Sequence, residues 1–266
     1  MKLKNKVAAI FAANGAIAKE VAIEMAKEGA KVYISGRNIE ALEHLAKEIE
    51  NNNGYAKSFR VDAQNEQEIN DFLKSITGEE SRLDIVFNGI GVRAKEGGYG
   101  TPSTHLSFET FMRPIESILG SQFLTARLGA KYMQETNSQG TILMLTASLS
   151  RLKAPFMSGI TAACAGIEGL TRVLSSEFGM VGIKVICINP TAMPKTRTIV
   201  ETTRENAKTI GIPEEVMAEQ MANGSLLKKP LTTNDTGKVA AFLVSDAGAA
   251  LNSHIVDVDF GTANVI

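Results

Sequence analysis

The chain has 266 residues, and its 28 lysines and arginines nearly balance its 29 aspartates and glutamates. That balance excludes a nucleic-acid binder relying on bulk positive charge and an acidic disordered tail. Two cysteines exclude a disulfide framework and a four-cysteine zinc site, and His44, His105 and His254 lie too far apart in sequence to form a ligand pair.

The N-terminus sets lysines before an apolar stretch, as a secretory signal does, but the stretch stops after Ala13 and Asn14-Gly15 follows. A strand–turn–helix fits better: Lys6 to Phe11 reads as a buried strand, and Ile17, Val21 and Met25 fall on one helical face. Gly29 ends that helix, and Lys31 to Ser35 reads as the second strand. Ile39, Leu42, Leu45 and Ile49 repeat at helical spacing until Asn51 to Gly54. Ser58 to Val61 reads as a strand, Glu66 to Ile76 as a helix and Leu83 to Asn88 as the fourth strand. Two long helices are expected near Leu106–Met133 and Phe156–Phe178, with strands at Thr141–Leu145, Ile183–Ile188 and His254–Val258.

Strands alternating with helical segments, and no linker, point to an α/β fold: one Rossmann-like, doubly wound, seven-stranded parallel sheet with helices on both faces, spanning residues 1–266 as a single domain. The irregular stretch 191–230 follows the sixth strand, where open α/β sheets carry a substrate lid. The longest run without charge, Thr136 to Ser150, is 15 residues, short of the roughly 18–20 a membrane helix needs. A cytoplasmic protein is expected, with neither membrane nor nucleic acid as a partner.

The order of landmarks resembles the short-chain dehydrogenases/reductases across essentially the whole chain. Ala12-Ala-Asn-Gly-Ala-Ile-Ala18 stands in the place of that family's glycine-rich loop, Ser35-Gly-Arg-Asn38 follows the second strand, and Val61-Asp62 closes the third. Phe87-Asn-Gly-Ile-Gly91 occupies the slot of Asn-Asn-Ala-Gly. Gly169-Leu-Thr-Arg172, Gly182 to Pro190, Val239 to Asp246 and Val258-Asp-Phe-Gly261 follow in the family's order.

The resemblance implies a nicotinamide cofactor and a tyrosine–lysine proton relay, yet the residues that carry that chemistry are replaced. The tyrosine slot is Ile160, the lysine slot Cys164, the serine slot Ala147 and the asparagine slot Ile118. No tyrosine follows Tyr132, so no shift of register recovers the acid–base group, and the wider spacing of the divergent enoyl-reductase branch lands near Met157. In the phosphate loop the three glycine slots hold Ala12, Ala16 and Ala18, which weakens a site for NADP(H).

Other cofactor-binding candidates are in place: Asn14, Gly15 and Ile17 at the helix start, Arg37 against a 2′-phosphate, Asp62 against adenine, and Asn88 and Gly91 at the fourth strand's end. Each has a plainer reading. Arg37 is then a solvated loop charge, while Asp62 and Asn88 brace strand ends. Cys164, among alanines and with no histidine near it in sequence, reads as a packed small residue rather than a nucleophile.

Ser148, Ser150, Arg151, Lys153, Ser158, Thr161, Arg93, Lys195 and Arg197 could line the cleft mouth and hold a small anionic ligand, or be ordinary loop residues. Tyr99 and His105, beside Gly97-Gly98 and Gly100, read as loop residues within reach of the cleft. Two classes of function follow. One is a degenerate homologue, a pseudoenzyme that binds a ligand or partner or catalyses a non-redox reaction in the ancestral cleft. The other is an active NADP(H)-dependent oxidoreductase that draws protons from water or substitute groups. The resemblance also implies a homo-oligomer, commonly a tetramer, with Ala126, Gly129, Ala130, Ala162, Ala163, Ala165 and Gly166 small enough for close helix approach.

Overall fold

A computed structural model describes residues 1–262. The first half alternates strictly: β1 (Val7–Phe11), α1 (Ala16–Lys27), β2 (Lys31–Gly36), α2 (Ile39–Asn51), β3 (Tyr55–Arg60), α3 (Glu66–Glu80) and β4 (Ile85–Asn88). Then come α4 (Phe108–Pro114), a π-turn (Ile115–Gly120), α5 (Ser121–Glu135), β5 (Thr141–Leu145), α6 (Ser158–Gly179) and β6 (Lys184–Pro190). The chain continues through α7 (Arg197–Ile210), α8 (Glu214–Ala222), α9 (Thr233–Leu243) and β7 (Ile255–Val258).

The seven strands form one parallel sheet in the order β3-β2-β1-β4-β5-β6-β7. β1 is apolar and buried throughout, and β5 is buried throughout and apolar after Thr141, because helices cover both faces and leave no wet side. Two apolar cores result. One, containing Phe11, Phe72, Ile118, Ile160 and Cys164, lies under α3, α5 and α6; the other, containing Ile10, Val21, Leu42 and Leu243, lies under α1, α2 and α9.

Local signals start the helices. Asn38 Oδ1 accepts from Ala41 N, Asn65 Oδ1 accepts from Gln67 N and Glu68 N, and Thr232 and Asp235 form a reciprocal cap on α9. Leu42, Leu45 and Ile49 turn inward from α2 as their spacing predicts.

Two expectations shift. β3 begins at Tyr55 and ends at Arg60, not Ser58 to Val61. It is an edge strand, so Lys57 and Ser58 sit half-buried within it and an apolar run understates its length. The helix expected over Leu106–Met133 is broken instead: Ser107 caps α4, Pro114 supplies no N–H to continue it, and a π-turn carries the chain into α5. The small residues are mostly used inside the chain. A methyl on Gly129 would stand 2.7 Å from Val86 and one on Gly166 2.7 Å from Leu119, and Ala126, Ala130 and Ala163 are buried.

The order reverses between β1 and β4, so the crevice beyond the carboxyl ends of the strands opens there. Its central wall is held by side chains. Gln122 Nε2 donates to Asn88 O at 2.9 Å and to Leu145 O at 3.3 Å, tying the ends of β4 and β5 to α5. Replacing Gln122 with Leu removes both hydrogen bonds and should destabilise the fold by about 2 kcal/mol, read from the urea midpoint.

Candidate functional site

The turn after β1 keeps the geometry of a phosphate loop without its glycines. Ala12 has φ 54°, the left-handed conformation that a glycine adopts freely and an alanine only at a cost of about 1–2 kcal/mol. Gly15 N donates to Ala12 O at 2.9 Å and closes the turn into α1. No side chain caps α1, and the N–H groups of Ala16, Ile17 and Ala18 have no acceptor among the described residues. Those unpaired N–H groups, aligned with the helix dipole, suit an anion. Ala18 fits the third glycine slot because a glycine faces it: a methyl on Gly89 would lie 2.6 Å from the Ala18 methyl. At the edge of β2, the Asn14 amide oxygen lies where a Gly36 methyl would be 2.8 Å away.

Among the other cofactor candidates, Arg37 is exposed and has no acidic partner among the described residues. Gly91 is exposed, with empty space where a side chain would point. Asp62 Oδ1 accepts from Gln64 N at 3.0 Å and so shapes its own turn. Asn88 is the brace its plainer reading described. Its amide donates to Ser121 Oγ at 3.1 Å and Thr125 Oγ1 at 3.2 Å, and its oxygen accepts from Ile90 N at 2.9 Å. These groups fit a dinucleotide in outline: unpaired N–H donors for the pyrophosphate, a free guanidinium beyond β2 and room at Gly91.

The residues at the four slots lie in, or against, one apolar cluster. Ile118 in the π-turn and Ile160 on α6 are each 7% exposed, and Cys164, one helical turn on, is 2% exposed. All three belong to one buried cluster, and Ala147 packs against it. Burial raises the pKa of the Cys164 thiol, and more so that of Cys187. Both stay protonated at neutral pH, which agrees with Cys164 as packing rather than nucleophile.

The cleft-mouth candidates are mostly engaged with one another. Arg93, after β4, donates to Glu201 on α7 at 2.6 Å, and Arg197 donates to the same carboxylate at 3.0 Å. Together they hold that carboxyl below the usual carboxylate range. Arg151 faces Asp257 at 2.8 Å and Glu168 at 3.4 Å, and Ser150 also donates to Glu168. Ser158 Oγ pairs with Ser103 Oγ at 2.6 Å, and Thr161 is half-buried. Ser148 opens a turn at the end of β5, while Lys153 and Lys195 are exposed. Three of the five cations proposed for an anionic ligand are thus paired with carboxylates, Arg93 and Arg197 sharing one.

Tyr99 and His105 part company. His105 stays exposed, whereas Tyr99 is 6% exposed, in the same cluster as Ile118, Ile160 and Cys164. Its ring folds back over Gly97, where a methyl would be 2.5 Å from the ring, with Gly98 at φ 67° and Gly100 at φ 85° on either side. A lone aromatic among glycines was the signal in the sequence. Glu201, Glu168 and Asp257 carry no such signal, because their partners come from distant segments.

An open cavity of about 880 Å³ lies at the opposite, amino edge of the sheet. Its charged groups have partners: Asp84 accepts from Arg82 and from Val7 N. Lys184, whose pKa burial pushes down to about 8, donates to Leu243 O and Gly248 O. No cluster of metal-ligating side chains occurs among the described residues, and no helix there is long and apolar enough to cross a membrane.

The family model described as enoyl-(acyl carrier protein) reductase matches residues 11–263. The chain belongs to this family of short-chain dehydrogenases/reductases. It is 27% identical over 260 residues to a probable 2,4-dienoyl-CoA reductase of Bacillus subtilis, covering 97% of each chain. It is also 27% identical over 261 residues to a 7alpha-hydroxysteroid dehydrogenase of Escherichia coli K12, covering 98% of this chain and 95% of that one. Among solved structures, levodione reductase superposes with a TM-score of 0.89 at 22% identity, covering 99% of this chain and 100% of that one. A variant of actinorhodin polyketide ketoreductase with NADPH gives 0.88 at 20% identity, covering 99% of both. The family and these neighbours are oxidoreductases.

Two outcomes test the site. Replacing Ala12 with Gly should relieve the left-handed alanine and raise stability by about 0.5–1 kcal/mol in urea unfolding. With both thiol pKa values raised and both sulfurs buried, a disulfide reagent at pH 8 should label neither cysteine in the native protein and both after denaturation.

Proposed function

We propose that the protein binds NADP(H) and an apolar ligand in the ancestral cleft, and does not reduce carbonyl compounds by a tyrosine proton relay. What carries this reading is that Ile118, Ile160 and Cys164 are buried in one apolar cluster, with Ala147 packed against it. Hydride transfer to a carbonyl leaves an alkoxide that must be protonated, and none of these four side chains has a proton suited to that step. The cofactor, when bound, supplies the hydride. Ala12, the N–H groups of Ala16 to Ala18 and the free Arg37 support its binding, with Arg37 favouring the 2′-phosphate.

A second reading, an active NADPH-dependent reductase, draws on the likeness to the dienoyl-CoA reductase, whose name implies reduction of a conjugated carbon–carbon double bond. For the assembled protein we propose a cytoplasmic homo-oligomer whose contacts use the exposed Phe108, Phe123, Val173 and Met180 rather than the buried alanines.

Calorimetry with NADPH and NADH, followed by single-turnover oxidation of NADPH with panels of carbonyl and dienoyl-thioester compounds, decides between the readings. Saturable NADPH binding at micromolar levels, without turnover on either panel, is the expected result. Turnover on the thioesters establishes the second reading, and no binding of either nucleotide removes both. Ile160→Tyr with Cys164→Lys and Ala147→Ser restores the family's relay on an intact scaffold, and should raise carbonyl reduction from background to at least 100-fold above it.

A further inference from the structure

The open cavity of about 880 Å³ at the amino edge of the sheet is lined by Lys184, the first residue of β6. Its backbone is fixed, with Lys184 N donating to Gly140 O at 2.9 Å. Its half-buried side chain reaches the end of α9, where Nζ donates to Leu243 O at 2.6 Å and to Gly248 O at 2.9 Å. The turn after α9 brings these two carbonyls together, since a methyl on Gly248 would be 2.6 Å from Leu243 O.

Both partners are carbonyls rather than carboxylates, and the exposed Asp246 bears on the amine by charge. Burial outweighs that charge, and the ammonium loses its proton at about pH 8. Lys31 and Lys57, hydrogen-bonded to Glu80 and Glu79, are pushed the other way. A neutral amine has two hydrogens and one lone pair. At Lys184 the two carbonyls take the hydrogens, which leaves the lone pair in the third direction. At pH 7 about a tenth of this lysine is the neutral amine, against less than about a thousandth of an ordinary one.

The rest of the cavity carries charge of both signs. Lys6 lies 3.9 Å from Asp84 and Arg82 donates to the same carboxylate, so the three groups together keep one positive charge. Glu80 accepts from Lys31 and Tyr33.

We propose that Lys184 is an acylation site, where the amino-edge cavity admits an activated acetyl group carried by an acyl phosphate or an acyl thioester. The ammonium gives one proton to solvent. Nζ then attacks the acyl carbon and a C–N bond forms. The C–O or C–S bond breaks, and the phosphate or thiolate leaves with the amine's next proton. The product amide has a single N–H, so one of Leu243 O and Gly248 O loses its donor and the end of α9 is held less firmly. This site stands apart from the cleft, at the opposite edge of the sheet.

The intact protein is incubated with acetyl phosphate or with a small acetyl thioester from about pH 6.5 to about pH 9.5, and occupancy at each lysine is read by peptide mass spectrometry. At pH 7 Lys184 should react about tenfold faster than Lys31 and Lys57, and its rate should level off above about pH 8 while theirs keep rising. In urea the three should react alike. Lys184→Arg keeps both hydrogen bonds and should lose the label at that peptide alone, and acetylation of the wild type should lower its urea midpoint. Faster reaction with acetyl phosphate identifies the surplus charge of Lys6 and Arg82 as the donor's anchor, and the reverse order identifies a thioester donor. A native rate at Lys184 no greater than at Lys31 and Lys57 overturns the proposal. So does a rate still rising past about pH 9, or no reaction with either donor.

Discussion

A buried amide holds the site in shape. Gln122 joins the last carbonyls of β4 and β5, which are not neighbours in sequence, and its helix begins in a π-turn that brings Ile118 to the same place. Asn88 completes the clasp by tying the end of β4 to Ser121 and Thr125. The crevice of a doubly wound sheet exists wherever the strand order reverses, but its depth depends on keeping those strand ends parallel and apart from the helices above. Polar groups do this from inside, so the wall they support is free to be apolar.

That freedom changes how the missing relay is understood. Loss of one catalytic group by drift leaves its former partners unsatisfied, because a buried lysine or serine site is surrounded by groups that answered it. Here Ile118, Ile160 and Cys164 share one buried cluster, and Ala147 packs against it. Thr146, next to the serine slot, is satisfied by the Cys164 carbonyl at 3.1 Å.

Most of the fold was legible in the sequence because parallel strands buried on both faces appear as apolar runs, and the helices between them show their inward residues at regular spacing. β3 was under-read for the reverse reason, since its edge position admits Lys57. The break at Pro114 was visible as a residue but not as a π-turn, since hydrogen-bond slippage has no signature in composition. At the site, the order of landmarks along the chain placed the four slots on residues that share one apolar cluster. What order could not supply was pairing. Arg93 and Glu201 are 108 positions apart, and Arg151 and Asp257 are 106 apart. Cations that stand alone along the chain were therefore counted as available when the fold had already matched them.

Those pairings also tie distant segments of the chain together. Arg93 and Arg197 converge on one carboxylate, and both guanidiniums are more than half exposed, so each contributes little to stability by itself. Their joint effect is on position: the pairing links the loop after β4 to α7 across 108 positions of the chain, and the single carboxylate offsets one of the two positive charges.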